Sequence, residues 1–132
     1  MQDRPSATEL LDAVRGFLER DVIDALEGTV KFHARVAANV LAILARELQL
    51  EPSHLAAEWS RLDALLGAEP APDSLAGLRE AVRARSEQLC ARIRAGEADA
   101  GPWRAATLAH VRATVRDKLA IANPKLLAPG EA

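Results

Sequence analysis

The sequence predicts an all-α fold, a single-domain bundle of about five amphipathic helices. Three observations predict it. Apolar residues recur at spacings of three and four, no stretch sustains the alternation of a strand, and Gly, Pro and capping residues divide the chain into five helical stretches. With 132 residues, 14.2 kDa and 49% hydrophobic composition, the chain is long enough to bury about two-thirds of its extended surface, so neither disulfide nor metal is needed to hold it. Residues 1–132 are expected to form one domain, with a mobile tail at about 128–132.

Each stretch has its own boundary chemistry. Ser6 and Glu9 have the spacing of a capping box, and Leu10, Leu11, Val14, Phe17, Leu18 and Val22 form a stripe that ends near Leu26, with Gly28 placed to stop it. Thr29 is expected to cap a second helix that buries Phe32, Val36, Val40, Ile43, Leu44 and Leu48, and Pro52 to end it by disfavouring helical geometry at Glu51. A third, shorter helix starts at Ser53, carries Leu55, Trp59, Leu62 and Leu66, and stops at Gly67. After a connection through Pro70 and Pro72, Asp73 caps the fourth helix, whose stripe is Leu75, Leu78, Val82, Leu89 and Ile93 and whose end is Gly96. Pro102 suits the first turn of the fifth, Leu108, Val111, Val115 and Leu119 make its stripe, and Asn123-Pro124 ends it. The small residues Ala34, Ala37, Ala38, Ala42 and Ala45 allow close helix approach, within the monomer or at a dimer seam.

Composition excludes several function classes. Four aromatics and no tyrosine provide no stacking platform for single-stranded nucleic acid, and a net charge of −2 disfavours polyphosphate. No nucleic-acid partner is expected. A helix-turn-helix around Pro52 would read DNA with Arg61 set against Glu58 and Asp63, a poor electrostatic match to phosphate. No apolar run approaches the ~20 residues of a membrane span, and no signal pattern opens the chain, so a cytoplasmic protein without a membrane partner is expected. Charge is divided unevenly, with residues 1–73 at −6 and residues 74–132 at +4, so the halves are expected to neutralise one another on packing, the alternative being a basic half that presents a modest anion-attracting face.

Polar residues near apolar faces are the remaining candidates for chemistry. His33, Asn39 and Glu47 project into or beside the arc of the second helix and read first as satisfied core groups with mates on other helices, while Arg35 lies outside on Asn39's flank. Asp21, Asp24 and Glu27 form an acidic row better read as a solvated face or a salt-bridge partner for Arg35, Arg46 or Lys118 than as a metal site. Cys90 reads as an inert thiol on a core edge. Phosphate-loop, dinucleotide and nucleophile-elbow motifs are missing, and the histidines do not form H-E-x-x-H. No catalytic residue, metal or cofactor is assigned.

The stretch F-H-A-R-V-A-A-N from Phe32 to Asn39, the opening R-P-S-A-T-E-L-L-D-A-V and the closing K-L-A-I-A-N-P-K resemble a family of small helical bacterial proteins of unknown function. The resemblance covers about Arg4 to Leu127. It implies genes beside, or fused behind, kinases similar to aminoglycoside phosphotransferases, often near acyl-CoA dehydrogenases, and it implies no catalytic residue. Leu126 stands where many such relatives have an aromatic residue. The implied function is a non-catalytic accessory module for such a kinase-like partner, in acyl or carboxylate metabolism, with His33, Arg35, Asn39, Lys118, Asn123 and Lys125 as the binding residues. A homodimer is the other partnership open to it. The alternative function is binding of a phosphorylated or CoA-linked acyl compound by Arg79, Arg83, Arg92, Arg94, Arg104, Arg112 and Arg116.

Overall fold

The computed structural model describes residues 3–127; the tail expected to be mobile at about 128–132 lies outside them. Among the described residues there are helices and no strand. Helix α1 (Ala7–Phe17) starts with the expected capping box: Glu9 N–H donates to Ser6 Oγ at 3.2 Å and Ser6 N–H to Glu9 Oε2 at 2.6 Å. A π turn (Leu18–Val22) extends α1, and Gly28, expected as a stop, is instead the first residue of α2 (Gly28–Leu66). Glu27 holds the N-cap position without a side-chain bond, so Thr29 sits inside the first turn and caps nothing.

The expected second and third helices are one helix of 39 residues, which makes four long helices where about five were expected. Pro52 does not break it, although it deletes one backbone hydrogen bond. Pro52 and Leu48, whose carbonyl loses its donor, are both exposed, so water can satisfy that oxygen. Beside the proline, Ser53 Oγ donates to the Leu50 carbonyl at 2.9 Å, and Arg79 grips both Glu51 oxygens at 2.7 Å. The helix-turn-helix reading loses its turn.

Helix α3 (Leu75–Arg94) is capped by Ser74, one residue after the expected Asp73: Gly77 N–H donates to Ser74 Oγ at 3.0 Å. Helix α4 (Pro102–Ala122) has its proline in the first turn as expected, and a 3₁₀ turn (Pro124–Leu126) follows Asn123. Gly67 and Gly96 end α2 and α3 with φ of 100° and 88°, which side-chain-bearing residues rarely adopt.

All other helices pack on α2. Helix α1 lies against it; Arg79 reaches Glu51 and Arg92 reaches the Leu65 carbonyl, so α3 runs parallel to α2. Trp103 reaches Leu65 and Ile121 reaches Arg46, so α4 runs antiparallel. The expected mutual neutralisation of the two halves is found in Glu51–Arg79, Asp63–Arg85 and Arg61–Asp117.

The core is confined to one end. Trp59, Leu62, Leu65, Val82 and Leu89 form it, with Leu55, Leu66, Leu78, Ile93 and Trp103 packed around; the third and fourth stripes predicted all of these but Leu65 and Trp103, while Leu75 of the fourth stripe is exposed. Elsewhere the expectation fails. Phe32, Val36, Val40, Leu44 and Leu48 are exposed, as are Leu10, Val14 and Phe17 of α1; Ile43 is half-buried. The close approach of α1 and α2 uses small residues instead, Gly16, Ala38 and Ala45, with Ile23 at the turn.

Candidate functional site

Helix α4 has two seams, and the less apolar one is turned inward. Thr107 and His110 are buried and Thr114, Asp117 and Ile121 half-buried, while Leu108, Val111 and Val115 are exposed. The two rows are displaced by one residue, about 100° around the helix. Polar partners on α2 fix the inward choice: Arg61 donates to Asp117 at 2.8 Å and approaches Thr114 Oγ1 at 3.5 Å. Burial, and secondarily the Arg61 charge, pushes the pKa of His110 below its ordinary value, so its neutral form is favoured. Val111 and Val115 of the outward row line a shallow groove of about 630 Å³ together with Leu119, Leu127, Arg112 and Arg116.

Three of the six sequence-predicted residues meet. Asn39, Asn123 and Lys125 line a depression of about 190 Å³ together with Arg46 and Pro124. Arg46 Nε donates to the Ile121 carbonyl at 2.7 Å, a cation placed at the negative end of the α4 dipole. Lys118 lines a neighbouring cleft with His54, Glu47, Glu51 and Glu58. Within it the hydrogen bond from Arg79 holds the Glu51 carboxyl below its ordinary pKa, outweighing partial burial. His33 and Arg35 line neither depression.

Other expectations are corrected. His33, Asn39 and Glu47 are exposed and have no hydrogen-bonded mate among the described residues, so the core-group reading fails: Asn39 and Glu47 border open depressions beside the end of α4 rather than a packed helix interface, and His33 lies beyond them. Cys90, one step past Leu89, is exposed and not a core thiol. Of the two readings of the acidic row, the solvated face fits: Asp21, Asp24 and Glu27 are exposed, and Asp21 pairs with none of Arg35, Arg46 and Lys118 among the described residues. Nor does any group of three or more His, Cys, Asp and Glu there lie placed to hold a metal ion, and no helix there is long and apolar enough to cross a membrane.

Sequence reasoning missed the most constrained polar group, Arg85, which is 2% exposed. Its guanidinium bonds Asp63 and the Leu62 and Gly67 carbonyls and lies 4.7 Å from the Trp59 ring centroid. Nearby, Arg92 stacks on Trp103 at 4.5 Å, and both donate to the Leu65 carbonyl at 3.3 Å. Helix α2 carries no basic residue in its last turn, so α3 supplies the cations its carbonyl end needs. The signal was present: Arg85 falls between Val82 and Leu89 at spacings of three and four, inside the core stripe.

From residue 24 to residue 126 the sequence matches the family described as Domain of unknown function (DUF6285). The chain belongs to DUF6285. No curated protein and no solved structure matches it. The DUF6285 span starts just before α2 and ends in the 3₁₀ turn after α4, so it contains the Arg85 clamp, both seams of α4 and all six predicted site residues; α1 precedes it.

Proposed function

We propose that the protein is a non-catalytic interaction module whose outward seam of α4 docks an amphipathic segment of a partner protein. The exposure of Leu108, Val111 and Val115 carries this reading, because three aliphatic side chains in one row are left in water while a more polar row is buried. Arg112 and Arg116 flank the groove, and among the described residues neither has an ion-pair partner. Apolar centre and arginine edge suit a partner helix with apolar anchors and acidic flanks. A kinase similar to aminoglycoside phosphotransferases, acting in acyl or carboxylate metabolism, is the partner that the sequence resemblance implies. The test is light scattering on a sizing column with such a kinase-like protein: co-elution weakened by Val111→Asp supports the module, and separate elution at micromolar concentration overturns a stable complex.

A second reading, binding of a phosphorylated or CoA-linked acyl compound, draws support from the basic and amide-lined depression of Asn39, Arg46, Asn123 and Lys125. Against it, Arg79, Arg83, Arg92 and Arg104 are already engaged by Glu51, Glu87, Glu97 and the Asp99 carbonyl. Calorimetry with a CoA ester at millimolar concentration decides it, since absence of heat removes the reading.

A further inference from the structure

We infer that the hairpin of α1 and the first half of α2 is a self-association surface, and that its occupant is a second copy of this chain, completing a four-helix bundle. The inference is independent of the α4 seam. The hairpin differs from the rest of the molecule in what it buries. Helices α3 and α4 hydrogen-bond α2 from Arg46 onward, and the end of α4 with its following turn reaches back as far as the Asn39 depression, so over residues 28–38 the helix has α1 as its neighbour. All five core residues lie at the other end. Within the hairpin the buried set is Gly16, Ile23, Ala38 and Ala45, whereas Leu10, Val14, Phe17, Phe32, Val36, Val40, Leu44 and Leu48 are exposed.

Area permits a partner of standard footprint. The chain exposes 8899 Å², whereas a folded monomer of its mass exposes about 6,800 Å². The excess of about 2,100 Å² belongs to the whole chain, the α4 seam included, and leaves room on the hairpin for the ~800 Å² that each partner contributes to an interface of standard size.

Pattern selects a second copy. The α2 row Phe32, Val36, Val40, Leu44, Leu48 is evenly spaced about Val40. A twofold axis through Val40 therefore pairs Val36 with Leu44 and Phe32 with Leu48 of the second copy, the self-matching an isologous interface requires. The same antiparallel register brings Lys31 and Arg35 to the level of the second copy's Glu47. Two antiparallel helices from each chain then enclose a common apolar core, the arrangement of a four-helix bundle.

Light scattering on a sizing column with the full chain tests this directly. A mass of about 28 kDa, twice 14.2 kDa, is expected, falling to the monomer value in Val40→Asp with helical circular dichroism retained, and unchanged in the α4 control Val111→Asp. In a Cys90→Ser background, Val40→Cys is expected to form an intermolecular disulfide under mild oxidation. This second variant decides the case should Val40→Asp fail to fold. A wild-type monomer at 100 micromolar, an assembly of more than two chains, or a Val40→Cys protein that stays reduced overturns the proposal. Loss of the dimer with kinase binding intact leaves the α4 reading standing, and the converse separates them the other way.

Discussion

The guanidinium of Arg85 lies 4.7 Å from the ring centroid of Trp59 and simultaneously closes the carbonyl end of the helix that carries that ring. One side chain of α3 thus satisfies a stacking surface, a carboxylate and two carbonyls of α2. Breaking a buried charge pair leaves the surviving charge uncompensated, so Arg85→Ala is expected to cost about 3–5 kcal/mol. Arg85→Lys recovers only part of this, because an ammonium lacks the planar fork that serves several acceptors at once. Urea denaturation of the three proteins measures both.

His110, 5% exposed, makes stability depend on pH. Its folded pKa is lowered by burial, so at pH values below its ordinary pKa of about 6.5 the unfolded chain binds the extra proton and unfolding is favoured. Stability present above pH 6.5 is therefore expected to decline as pH falls below it, and His110→Gln to flatten that slope. Thermal unfolding from pH 8 to pH 5 reads the difference. Glu51, also lowered, acts in a separate window below about 4.5, again losing stability as pH falls, and Arg79→Gln is expected to move its titration back toward the ordinary value.

Pro52 lies in an uninterrupted helix that does without one hydrogen bond. Pro52→Ala is expected to keep the fold and raise stability by about 1–3 kcal/mol, less than or equal to the propensity difference because neighbouring contacts already hold the turn. A lower unfolding temperature would mean that the proline ring is required for the path of α2.

The outward seam of α4 contributes little to the isolated monomer. Val111→Asp or Val115→Asp is expected to change its unfolding free energy by no more than about 0.5 kcal/mol, as for other exposed positions, while reducing binding of an apolar dye. Dye fluorescence and chemical denaturation on the same samples check the pair of expectations.

Helix existence, type and most ends were legible because local rules govern them. The Ser6–Glu9 capping box, Pro102 at the start of α4, and the stops at Gly67, Gly96 and Asn123 are each decided within a few residues. Pro52 shows where local rules yield: the exposed position of Leu48 and Pro52 on α2 and the Arg79 grip on Glu51 allow the helix to continue. Of the candidate site, the convergence of Asn39, Asn123 and Lys125 was compatible with the chosen residues, whereas His33 and Arg35 stand apart because α4 ends before reaching their turns of α2.

Periodicity determined which residues are apolar and in which rows they fall; only the tertiary structure decided which rows are covered. Leu62 and Val36 belong to stripes of equal quality, yet Leu62 is fully buried and Val36 is exposed, because α3 and α4 converge on one half of α2 and leave the other to α1. The physical reason is that a stripe specifies a need for burial without naming the surface that meets it. In this chain one half of that need is met by its own helices, and the other half is directed outward.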